Sequence, residues 1–155
     1  MSFDPTGDEL AGVVDLFGGL TRADLERALS ELAFRDGVEA DPDALDAAVD
    51  EALADYRLLA VDHGDEAVLV AGPAAFPTLP AGAEDLPHIL DVPDRDVPRE
   101  ALAARVRERL EADAERAAEE WDPERARQLL DVTYDAEAWA PVELGDVRAT
   151  LQRTS

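Results

Sequence analysis

The amino-acid sequence predicts a mainly helical fold with one β-hairpin, of the α+β class: a winged-helix-like N-terminal domain followed by a helical C-terminal extension. Three observations lead there. The stretch from Asp8 to Arg57 carries three apolar stripes at helical spacing, each with its own start signal. Two short, partly β-branched runs follow around a polar turn, and from Arg99 a helical periodicity returns. Between them Pro73, Pro77, Pro80, Pro87, Pro93 and Pro98 break any long helix or central strand. The expected division is therefore 1–72, a connecting segment 73–98, and 99–155.

The first helix is opened by Thr6-Gly7-Asp8-Glu9, a capping box in which the threonine and glutamate side chains each satisfy a backbone N–H left free at a helix start. Leu10, Val13, Val14 and Phe17 share one face, and Gly18-Gly19 supplies the positive φ that ends it. Thr21 starts the second helix, flanked by Leu20 and Leu25 as a hydrophobic staple, with Leu25, Leu29, Leu32 and Ala33 as its buried stripe. The third opens at Asp41-Pro42, where proline's missing N–H is harmless, and Leu45, Val49, Leu53 and Tyr56 are expected on its apolar face. Leu58–Val61 and Ala67–Val70 then read as paired strands around Asp62–Glu66, packed on the three helices as a wing would be.

The proline-rich segment carries Phe76, Leu79, Leu86, Ile89 and Leu90, too apolar for a solvated tether, so it is expected to lie on the first domain or on a partner. From Arg99, the residues Leu102, Val106, Leu110, Ala114, Ala117 and Trp121 recur every three or four positions. This stripe fits either a seam between subunits or the chain's own core. Its polar faces pair Arg107 with Glu111 and Arg109 with Asp113. Asp122-Pro123 starts another helix, ended near Trp139 and Pro141, and Leu144, Val147 and Leu151 mark a last one.

The net charge is −23, from 37 acidic residues against 14 basic ones, all of them arginine; lysine and cysteine are absent. Molar salt, which shortens the screening length to about 3 Å, makes such a surface tolerable. The Asp-rich, lysine-free, alanine-rich composition resembles that of proteins from extremely halophilic archaea. The order of helix, Leu20-Thr21-Arg22-Ala23-Asp24-Leu25, helix, hairpin and acidic helical tail is similar to small uncharacterised haloarchaeal proteins, a resemblance that implies no activity. The acidity reads as salt adaptation ahead of nucleic-acid mimicry. No run approaches a membrane span and the acidic N-terminus lacks a signal peptide's basic region, so a cytoplasmic protein is expected.

Without cysteine, and with only His63 and His88, one chain cannot assemble a thiolate or multi-histidine zinc site. No serine stands in a nucleophile elbow, and Gly18-Gly19 lacks the lysine of a phosphate loop. Asp91, Asp94 and Asp96 lack the spacing of a calcium loop. The reading is thus a non-enzyme with no cofactor and no metal, a protein that interacts or regulates through a protein partner or self-association. Leu102, Val106, Leu110 and Trp121 are its candidate partner-binding residues. The alternative is a winged-helix DNA-binding regulator, for which Arg22 and Arg27 are the basic candidates, since the third helix and the hairpin loop present mainly aspartate and glutamate.

Overall fold

The computed structural model describes residues 3–155 and divides them into two compact units, one ending at Val97 and the other running over Pro98–Ser155. In the first unit, α1 (Gly7–Leu16), α2 (Arg22–Arg35) and α3 (Pro42–Ala54) precede β1 (Leu58–His63) and β2 (Glu66–Ala71). A 3₁₀ turn at Ala83–Asp85 leads into the four-residue α4 (Leu86–Ile89). The second unit holds α5 (Arg99–Glu119), α6 (Pro123–Trp139) and α7 (Gly145–Thr154). A helix-rich α+β fold with one antiparallel hairpin is what the sequence predicts.

The start signals act as expected. Thr6 and Glu9 close a complete capping box on α1. The side chains of Thr21, Asp41 and Asp122 each accept a backbone N–H of the first turn of α2, α3 and α6. In the first unit the apolar faces meet in one core: Leu10, Val13 and Val14 of α1, with Phe17 just past its end, against Leu25, Leu29 and Leu32 of α2, Leu45, Val49 and Ala52 of α3, and Leu58 and Leu69 of the hairpin. Each fully buried side chain of this size contributes about 1.5–3 kcal/mol.

The strands pair in register from Leu58 opposite Ala71 to His63 opposite Glu66, longer than expected, because the turn is only Gly64-Asp65. Gly64 takes φ +63° at the first position of that two-residue turn, where a side chain would be strained. Leu20, just ahead of α2, exchanges backbone hydrogen bonds with Leu69, N to O at 3.0 Å and 2.7 Å, and so pairs with the outer edge of β2. This long-range pair fixes the hairpin against the helices.

Two aromatic residues depart from expectation for one reason. α3 ends at Ala54 and α5 at Glu119, so Tyr56 and Trp121 lie beyond their helices, in the left-handed region at φ +61° and +50°. In both places the next residue reaches back, Arg57 N–H to Ala52 O and Asp122 N–H to Ala117 O, each at 2.9 Å. This is the hydrogen-bonding pattern that usually places glycine at the left-handed position. Tyr56 is fully buried there, whereas Trp121 is 77% exposed and does not continue the α5 stripe.

The proline-rich segment is part of the first unit rather than a free connection. Thr78 N–H donates to Asp8 O at 3.0 Å, Ala74 N–H to Tyr56 O at 3.0 Å, and Arg95 N–H to Phe17 O at 2.9 Å. Ala83 and Leu86 join the core with no exposed surface.

Candidate functional site

In the second unit, α5 packs on both α6 and α7, which also pack on each other. Leu102, Val106 and Leu110 are 8%, 0% and 0% exposed, buried with Leu129, Ala136, Val147 and Leu151 inside this three-helix unit. Their periodicity identifies an apolar face, but that face is covered by the chain itself. Of the four residues read as partner-binding, only Trp121 is open to solvent.

A polar network that the sequence reading did not single out ties the α6–α7 connection. Glu137 accepts from Arg148 at 2.8 Å and 3.1 Å and from the Leu144 N–H at 2.8 Å. The Arg148 guanidinium lies 4.6 Å from the centre of the Tyr134 ring. The hydrogen bonds from Arg148 and then from Leu144 hold the Glu137 carboxyl below its ordinary pKa. Arg107 likewise bonds Asp146 and the Glu143 carbonyl, and the Arg107 hydrogen bond holds Asp146 below the usual aspartate range. An open groove runs past these pairs, lined by Glu100, Ala103, Ala104, Arg107, Ala140 and Asp146 among others. Among the described residues no buried side-chain polar atom lacks a hydrogen-bond partner.

In the first unit, Arg22 at the start of α2 is turned onto α3. It donates to Asp46 at 2.6 Å and to Asp50 at 2.8 Å, with Glu26 at 3.9 Å. Partial burial opposes its charge, but the hydrogen bonds to Asp50 and Asp46 outweigh that and raise its pKa. Arg27 pairs with Asp24 at 3.3 Å. The exposed face of α3 presents Asp43, Asp46, Asp50 and Glu51, and the hairpin end presents Asp62, Asp65 and Glu66. The structure therefore brings Arg22 to the face where a DNA reader would need cations, but neutralises it there.

A third surface lies at the end of α2. Gly37, at φ +74°, turns the chain so that Val38 N–H reaches Ala33 O at 2.9 Å. Phe34, Val38 and Ala40, with Ser30 and Glu39, then line an open groove of about 500 Å³. Phe34 is 78% exposed. Among the described residues, no group of three or more His, Cys, Asp or Glu side chains is placed to hold a metal ion, and no helix is long and apolar enough to cross a membrane.

With this geometry in view, comparison with known proteins is brief. No curated protein and no solved structure matches the chain. A family model matches residues 8–155, nearly the whole chain, and the protein belongs to that family, the family of unknown function DUF7109.

Proposed function

We propose, from the surfaces above and the composition, that the protein is a non-catalytic interaction or regulatory protein adapted to molar salt. One observation carries the reading: Phe34 is held out of the core at the mouth of a groove whose other apolar members are Val38 and Ala40. An exposed aromatic beside further apolar surface is the usual anchor of a protein interface. The acidic, lysine-free composition supports the salt adaptation.

Light scattering after size exclusion in molar KCl, on the wild type and Phe34→Ser, tests it. A wild-type dimer that becomes a monomer in F34S makes the groove a self-association surface. If both proteins are monomers, crosslinking in extract at the same salt decides, through adducts formed by the wild type and lost in F34S. Identical mass and identical adducts for the two proteins would sink the reading.

A second reading, a winged-helix DNA-binding regulator, is favoured by the order α1, α2, α3, hairpin together with the Leu20–Leu69 pairing. It predicts duplex binding that weakens in Arg22→Ala or Arg27→Ala. The acidic α3 face weighs against it, and fluorescence anisotropy that never rises at any salt concentration would end it.

A further inference from the structure

The proline-rich segment lies on the first unit, yet Phe76 and Leu79 do not join the core that receives Ala83 and Leu86; they stand 79% and 47% exposed. The backbone around them is firmly held. The Phe76 N–H donates to Asp8 Oδ1 at 3.1 Å, the Thr78 N–H to Asp8 O at 3.0 Å, and the Thr78 hydroxyl to Phe76 O at 2.9 Å. Asp8 Oδ1 also accepts from Arg57 Nε at 3.2 Å. One turn further along α1, a Cβ at Gly12 would lie 2.2 Å from the Thr78 carbonyl oxygen, so only glycine lets the segment lie this close, although glycine weakens a helix interior. None of these contacts uses the side chain of Phe76 or Leu79. They account for the path of the segment and not for the apolar groups it turns outward.

Composition and conformation say what kind of surface covers those groups. Residues 72–83 hold no charged side chain, in a chain where 33% of residues are charged. Contacts made here are apolar, and screening by molar salt does not weaken them. Pro77 and Pro80 fix φ near about −65°, and Phe76 and Leu79, each ahead of a proline, are held in the extended region. Residues 75–80 contain no turn or bend. Such a run follows a polyproline II path, in which three residues complete a turn. Phe76-Pro77 and Leu79-Pro80 are one such turn apart, so the two pairs recur on one side of the run.

We propose that Phe76–Pro80 is a preformed polyproline ligand that docks in an aromatic-lined groove of a partner protein, with Phe76-Pro77 and Leu79-Pro80 in successive pockets. Grooves of this kind take proline-rich runs because the ligand is already ordered before it binds. Here Asp8 and Gly12 supply the order. The inference rests on other residues than the Phe34 groove and stands whether or not that groove binds anything.

Photo-crosslinking tests it, with benzoylphenylalanine placed at position 76 of the full chain and irradiation in extract of the source cells in molar KCl. Two peptides compete: residues 75–81, and the same peptide with both prolines replaced by alanine. The expected result is an adduct with another protein, attached beside tryptophan, tyrosine or phenylalanine. Excess of the first peptide should lower its yield at least fivefold, and the second less than twofold. Pro77→Ala with Pro80→Ala in the crosslinking chain should lower the yield at least fivefold, and doubling the KCl should not lower it. Should that variant fail to fold, the two peptides still decide. No adduct, an adduct with a second copy of this chain, attachment to a surface without aromatic residues, a yield that falls as KCl is doubled, or equal competition by both peptides would each overturn the proposal.

Discussion

Leu110→Ala separates a covered stripe from a partner-facing one most directly. Leu110 has no exposed surface and packs at the centre of the three-helix unit. Truncation removes its apolar burial and leaves a cavity, which together cost about 2–5 kcal/mol at such sites. The unit spans Pro98–Ser155, and at roughly 0.05–0.15 kcal/mol per residue a unit of this length holds only about 3–9 kcal/mol in total. One substitution therefore takes a large share of its stability, and the melting temperature should fall by about 10 °C or more. The assay is built in: both tryptophans of the chain, Trp121 and Trp139, belong to this unit, so their fluorescence during urea unfolding follows it without interference from the first. A surface leucine would change stability by less than about 0.5 kcal/mol. An unchanged urea midpoint for L110A, especially with loss of an oligomer, would refute the internal packing of α5 and restore the stripe as an interface.

Three further outcomes are expected. Gly37→Ala should cost about 1–2 kcal/mol, the left-handed penalty alone, because open space surrounds it, whereas Gly18→Ala should cost clearly more because the Arg95 carbonyl must also move; chemical denaturation compares the two. Glu137 and Asp146 have folded pKa values below their ordinary ones, so their contribution to the second unit is complete above the unfolded carboxylate range, near pH 4.5, and is lost as pH falls through the folded values. The urea midpoint read by tryptophan fluorescence should accordingly hold between pH 7 and 5 and drop below, with a smaller drop in Glu137→Gln. Dilution from about 1 M to about 0.1 M KCl lengthens screening from about 3 Å to about 10 Å and should speed hydrogen exchange in α1–α3 more than in α5–α7; an equal response of the two sets would contradict it.

The sequence made helix starts legible and helix ends much less so, and the difference is chemical. A start is announced by a side chain that must accept a backbone N–H, as Thr6, Thr21, Asp41 and Asp122 do. An end is announced only when glycine takes the left-handed position, as at Gly37; Tyr56 and Trp121 occupy the same position without that mark and were read into the helical stripes. The periodicity of Leu102, Val106 and Leu110 located an apolar face without saying what covers it. Leu20–Leu69, Glu137–Arg148 and Arg95–Glu66 join residues 49, 11 and 29 positions apart, and nothing local to either partner announces such pairs.

The charge needs the structure before it can be interpreted. The first unit has 23 acidic residues in 97 and the second 14 in 58, close to one in four in each, so the acidity is spread over both units. Arginine is not shared in this way: five lie in the first unit and nine in the second, leaving net charges of −18 and −5. That asymmetry is why low salt should strain the first unit more. It also bears on DNA binding, since the unit with the helix and hairpin order of a DNA reader is the one poorer in cations. Of the nine arginines of the second unit, Arg105, Arg107 and Arg109 pair with Glu108, Glu111 and Asp113 on their own helix. A surface of this kind repels phosphate, so any duplex binding by the first unit has to overcome its net charge of −18.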